Sequence, residues 1–208
     1  MKFKWYYWST QIIISLIVVT NYCSQSTMEK PIRYISILRG INVGGKRKIL
    51  MADLKELYED LGFNNITTYI QSGNVIFDYT NTSNNDIAEK IQTAIKNKYD
   101  FDVPCIVRTK TEWEQSVKMN PFVQENEIES LHLTFLKDIP EKDKLESIQK
   151  LDFSPEAFEV INNDAFILCP GKYHKTKLSN NFFESKLKVQ ATTRNWKTVL
   201  KLLEISKV

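Results

Sequence analysis

Three short blocks hold the residue types from which an anion site can be built. The first is RGINVGGKRK, Arg39 to Lys48, where three of the chain's six glycines (Gly40, Gly44, Gly45) fall close together. Arg39, Lys46, Arg47 and Lys48 flank or follow them. The second is QSGN, Gln71 to Asn74, and the third is TTRN, Thr192 to Asn195. Backbone N–H groups of a glycine loop ahead of a helix can cradle a phosphate, and nearby cations reinforce the hold. The candidate ligand-binding residues are Arg39, Asn42, Gly44, Gly45 and Lys46; Gln71, Ser72 and Asn74; and Thr193, Arg194 and Asn195. GINVGGKR is not a Walker A loop, because its spacing is wrong and Arg47 stands where the hydroxyl belongs. It is not GxGxxG either, which disfavours a dinucleotide. The competing structural reading is a tight, solvent-facing turn.

The other two blocks have structural readings of their own. QSGN lies between two predicted strands, and Gly73 suits a turn needing positive φ. TTRN precedes the last helix, so Thr192 or Thr193 is the expected N-cap, with Arg194 and Asn195 in the first turn. Arginine there opposes the helix dipole, which points to a bound anion or a carboxylate partner. A shared ligand site requires Arg39, Asn42, Asn74, Arg194 and Asn195 to converge.

No residue stands out as nucleophile or general base, so whether the protein is an enzyme stays open. His132 sits in LHLTFL, opposite Leu131, Leu133 and Phe135 in a strict alternation, and reads as surface or packing. His174 lies in the basic loop GKYHKTK with Lys172, Lys175 and Lys177. Two distant histidines make no metal centre, and no cofactor is indicated. Cys23, Cys105 and Cys169 have no CxxC spacing; Cys105 and Cys169 read as small buried hydrophobes.

These residues need a scaffold, and the chain is long enough for one large domain or two small ones. It has 208 residues, 25% charged and 42% hydrophobic, and a formal charge of +3. Lys2 and Lys4 account for most of that excess, so net charge gives little support to a nucleic-acid partner. Residues 1–27 hold the apolar run IIISLIVV, short for a membrane span of about 20 residues. They read as an upstream mis-start with translation from Met28, as an anchor through residues 5–23, or as a signal peptide. The protein is cytoplasmic on the first reading and membrane-anchored on the second.

The remaining periodicity alternates strand and helix. RYISIL is a strand, and MADLKELYEDL places Leu54, Leu57, Tyr58 and Leu61 on one helical face. Strands follow over 66–70 and 75–79, a helix over 84–99 and a strand over 103–107. A helix over 111–119, capped by Thr111, leads to a strand at 131–136 and a helix at 141–150. A hairpin over 158–161 and 165–168 turns at Asn163 and Asp164, and helices over 180–187 and 196–205 finish the chain. The fold class is α+β: two tandem ferredoxin-like βαββαβ-type halves with antiparallel or mixed sheets and helices on one face. The halves are 28–110 and 111–208. The repeat lies in element order, not in sequence.

YISILRGINVGG, TYIQSGNVIF, VRTKTEW, LHLTFL, ESKL and TTRNWKTVLKLLEI together resemble the DUF1697 family of bacterial proteins of unassigned function. The resemblance spans Ile32 to Ile205 and implies two ferredoxin-like halves. Thr176 stands where that family often has serine, which keeps the hydroxyl. The family has no leader like residues 1–27, which favours Met28 as the start. The leading functional expectation is binding of a phosphorylated ligand or nucleic acid. An enzyme acting on a phosphorylated or acidic small molecule, with Arg39 and Arg194 as clamps, is one alternative. A structural or protein-interaction domain without ligand is the other.

Overall fold

The computed structural model describes residues 30–207, so the expectations for residues 1–27 lie outside the described residues. Among the described residues no helix is long and apolar enough to cross a membrane. The chain runs β1 (Ile32–Leu38), α1 (Met51–Asp60), β2 (Asn64–Tyr69), β3 (Asn74–Tyr79), α2 (Asn84–Tyr99), β4 (Cys105–Thr109) and α3 (Lys110–Met119). The same order then recurs: β5 (Leu131–Leu136), α4 (Lys142–Gln149), β6 (Ala157–Ile161), β7 (Asp164–Leu168), α5 (Asn180–Leu187), β8 (Ala191–Asn195) and α6 (Trp196–Ile205). Each half is thus βαββαβ, the ferredoxin-like arrangement, with one helix added. The sheets have matching strand orders, β2-β3-β1-β4 and β6-β7-β5-β8. Every pairing is antiparallel.

Alternation along the strands builds three cores. Tyr34, Leu38, Phe77 and Val107 point outward against Leu54 and Tyr58 of α1 and Ile87 and Ile91 of α2. Ala165, Ile167 and Ala191 pack against Ile148 of α4 and Phe183 and Leu187 of α5. Between the sheets, Ile35, Ile37, Ile76 and Ile106 join Leu133, Phe135 and Phe166. The added helices close this middle layer with Trp113 of α3 and Trp196, Val199 and Leu202 of α6. Both faces of β5 are therefore covered, and all six of its residues are buried. Burying Trp113 and Trp196 completely gives the two halves a common apolar core, the dominant favourable term in their association.

The structure corrects four local expectations. TTRN is not the start of a helix: it forms β8, whose pairing with β5 outweighs the capping tendency of the threonines. Asn195, not Thr192 or Thr193, caps α6 by accepting from the Thr198 N–H at 2.8 Å. Thr109, not Thr111, caps α3 in a reciprocal box with Glu112, and β4 begins at Cys105 rather than Val103. Asp164 is not a turn residue but the buried first residue of β7.

The halves match bond for bond at their strand ends. The Leu38 N–H donates to the Gly73 carbonyl at 2.8 Å, and the Leu136 N–H to that of Asn163 at 2.9 Å. Likewise Arg39 donates to Pro104, and Lys137 to Gln190, both at 2.9 Å. Against this frame, half one has extra chain at 39–50, where half two has only 137–141. Half two has extra chain at 169–179, where half one has only 80–83.

Candidate functional site

Arg194 ties its own block to QSGN and to the end of β1 from which the glycine loop leaves. It sits on β8 opposite Leu133, so its side chain enters the layer between the sheets. Its Nε donates to Asn74 Oδ1 at 2.6 Å, and Nη2 donates to the carbonyls of Leu38 (2.7 Å) and Ser72 (3.0 Å). Nη1 donates to the carbonyl of Thr193 at 2.9 Å. All four acceptors are uncharged. Burial lowers the guanidinium pKa to about 10, so it stays charged at neutral pH. Asn74 is buried and turns its Nδ2 to the Tyr69 carbonyl and Ser72 Oγ, both at 3.0 Å, which closes the hairpin.

Asn42 shapes the glycine loop from within. It adopts φ 56°, a region asparagine tolerates better than most residues. Its Nδ2 donates to the carbonyls of Ile49 and Gln71, and its Oδ1 accepts from the Ile49 N–H, each at 2.9 Å. One side chain thus pins both ends of the loop and ties them to the QSGN hairpin. Gly73 has φ 75°, and a Cβ there would lie 2.7 Å from side-chain atoms of Ile41 and Leu38. Glycine is required by both conformation and space.

Arg39 carries the connection into half two. It pairs with Glu184 and donates to Asn181 Oδ1 at 2.9 Å, both on α5. Glu184 also accepts from the Ala191 N–H at 3.1 Å. Thr193 Oγ1 lies 2.6 Å from Thr134 Oγ1 and donates to Asn180 Oδ1 at 2.7 Å. Arg39, Asn42, Ser72, Asn74, Thr193 and Arg194 therefore belong to one hydrogen-bonded assembly. Asn195 does not join it, since its carboxamide is committed to the start of α6.

Gly44, Gly45, Lys46 and Gln71 remain on the surface of this assembly. A cleft of about 260 Å³ opens there, lined by Asn42, Gly45, Lys48, Ile49, Leu50, Met51 and Gln71. It lies at the start of α1, where Leu50 offers no side-chain cap. The N–H groups of Met51, Ala52 and Asp53 precede the first intrahelical bond, from Leu54 to Leu50. A larger cleft of about 890 Å³ opens elsewhere, beside Arg33, Lys55, Asn64 and Glu204, and none of the three blocks lines it.

The family described as "Protein of unknown function (DUF1697)" matches residues 32–166. The chain belongs to this family. Its fold is similar to that of the conserved bacterial protein SP0830 from Streptococcus pneumoniae, with a TM-score of 0.69 and 24% identity. That likeness covers 85% of this chain and 99% of the other. No curated protein matches.

In this DUF1697 chain the opposite end of the middle layer repeats the arginine device. Arg108 on β4 crosses into half two and donates to the carbonyl of Leu136, the counterpart of Leu38. It also donates to the Val107 carbonyl at 3.1 Å, as Arg194 does to Thr193. Asp164 occupies the place of Asn74, and its Oδ2 accepts from Ser116 Oγ. Asp164 Oδ1 and Arg108 Nε are buried without a hydrogen-bond partner. Burial raises the Asp164 pKa and lowers that of Arg108.

Three further candidates, His132, Cys105 and Cys169, lie in the packed interior. His132 is buried and stacks on Tyr173 with ring centroids 4.3 Å apart, and burial lowers its pKa. Cys105 and Cys169 are buried free thiols, and burial pushes both pKa values up, the opposite of an activated nucleophile. Among the described residues no cluster of His, Cys, Asp and Glu could hold a metal. Sequence reasoning missed Thr134, Asn180, Asn181 and Glu184, which enter the assembly only once β8 is seen as a strand. The spacing of Asn180 and Glu184, one helical turn apart, was the available signal.

Proposed function

We propose that this protein binds a phosphate-bearing ligand at the glycine-loop cleft. The supporting observation is the conjunction of an uncapped α1 start with Lys46, Arg47 and Lys48, all exposed and none in an ion pair among the described residues. Free N–H groups and the positive helix end favour an anion, although Asp53 in the first turn already supplies part of that charge. In this reading Gly44, Gly45, Lys46 and Gln71 face the ligand. Arg39, Asn42, Ser72, Asn74, Thr193 and Arg194 hold the loop in shape. Arg39 and Arg194 are poor clamps for a substrate because their donors are engaged internally.

Calorimetric titration with inorganic phosphate, nucleotides, sugar phosphates and a single-stranded oligonucleotide tests the proposal. At least one should bind the native chain and lose about tenfold in affinity in K46Q/K48Q. If the oligonucleotide is the ligand, three phosphate contacts give a log–log salt slope of about −2. No binding by any probe, or binding unchanged in K46Q/K48Q, would overturn it.

A further inference from the structure

The loop that carries Lys46, Arg47 and Lys48 also carries exposed aliphatic side chains, and the neighbouring β2–β3 hairpin adds one more. Val43 is 65% exposed, Leu50 70% and Ile70 50%. Isolated apolar residues on a surface need no explanation, but a cluster does. These three belong to one structural unit. Val43 bridges to Lys46, Leu50 follows Ile49, and the Asn42 side chain fastens Ile49 to Gln71, the neighbour of Ile70. Ile70 is held at φ 48°, an unfavourable backbone region for a β-branched residue.

Within the loop the charge is of one sign, and the acidic residue that follows it, Asp53, is half-buried in the first turn of α1. No acidic residue occurs between Arg39 and Ala52. Lys46, Arg47 and Lys48 are exposed beside the aliphatic residues. No aromatic side chain occurs in that segment either, so it offers no platform on which bases could stack. Aliphatic side chains interleaved with lysine and arginine match the boundary between anionic headgroups and acyl chains. We infer that the glycine loop and the adjoining β2–β3 hairpin dock on an anionic phospholipid surface, with Lys46, Arg47 and Lys48 on the headgroup phosphates and Val43, Leu50 and Ile70 entering the acyl boundary. The inference rests on the phosphate-binding reading of the same loop and names the source of the phosphate. It concerns this loop and is independent of residues 1–27.

Vesicle co-sedimentation of the full chain tests it, with phosphatidylglycerol vesicles against phosphatidylcholine vesicles at low and high salt. The native chain should partition onto the anionic vesicles and leave them at high salt. K46Q/R47Q/K48Q should lower partitioning by about 100-fold at low salt, from the usual contribution of each surface cation. V43S/L50S/I70S should lower it by about tenfold. Thermal melts check that both variants remain folded. Equal binding to both lipids, or variants that bind like the native chain, would overturn the inference. If nucleotides or sugar phosphates bind through Lys46 and Lys48 while anionic vesicles do not, the membrane inference fails and the phosphate reading stands. If an oligonucleotide or an acidic peptide, and not the vesicle, loses affinity in V43S/L50S/I70S, the docking partner is not a membrane. If no probe binds, both readings fail together.

Discussion

The two ends of the middle layer are built alike and furnished differently. At each end an arginine from the last strand of one half crosses to the first strand of the other, Arg194 to Leu38 and Arg108 to Leu136. The Arg194 end is satisfied by uncharged acceptors and is decorated. The long loop 39–50 leaves β1 there, and Arg39 anchors it on α5 just after the long loop 169–179. The Arg108 end has neither addition, faces a carboxylate, and leaves Arg108 Nε and Asp164 Oδ1 without partners. A crossed arginine thus occurs at both ends of the frame, while only one end has been elaborated. The elaborated end is where a functional reading belongs, because surface loops on a rigid frame are where binding residues concentrate.

Removing Arg194 should have the largest effect. Arg194→Ala strands the Leu38 and Ser72 carbonyls and the Asn74 side chain together, and should cost about 4 kcal/mol in urea unfolding. Arg194→Lys keeps the charge but cannot reach four acceptors, so it should recover less than half of that. A cost below about 1 kcal/mol for Arg194→Ala would mean that the loops, not the arginine, tie this end together. Next in size is Gly73→Ala, expected to cost about 2–3 kcal/mol through positive φ and contact with Ile41 and Leu38. At the counterpart position, Asn163→Ala should stay within about 0.5 kcal/mol. Comparable losses at both positions would remove the asymmetry.

The sequence revealed the repeated element order because the strong periodicities of Leu54–Leu61 and Ile87–Ile95 survive without tertiary help. It also identified Gly73, whose need for positive φ is local. β8 stayed hidden because ATTRN has no apolar alternation. Its strand state comes from pairing with β5, far away in sequence. That single omission put Arg194 in the first turn of a helix and hid the register that carries its side chain to Asn74. Asp164 was hidden for a related reason. An Asn-Asp pair is a turn signal locally, and only the second sheet makes its carboxylate a buried one. The equivalence of Arg108 and Arg194 lies in register, which sequence similarity between the halves does not carry.

A pH-dependent effect gives the most direct comparison of the two ends. Asp164→Asn gives the Arg108 end the same kind of side chain that Arg194 meets. Burial raises the Asp164 pKa in the folded chain, against opposing contributions from Ser116 and Arg108 and a reinforcing one from Glu112. Below about pH 4 folded and unfolded chains both hold the proton, and the shift has no consequence. As pH rises, the unfolded chain releases the proton first, so the folded state loses relative stability until its own carboxyl has ionised. The carboxamide introduced by D164N has no proton to release. The stability of D164N relative to the native chain should therefore climb from about pH 4 and level off above the native pKa. Urea midpoints measured from pH 4 to pH 8 give the difference directly. A pH-independent difference would mean that Arg108 compensates the carboxylate fully, and that the two ends differ in decoration but not in electrostatics.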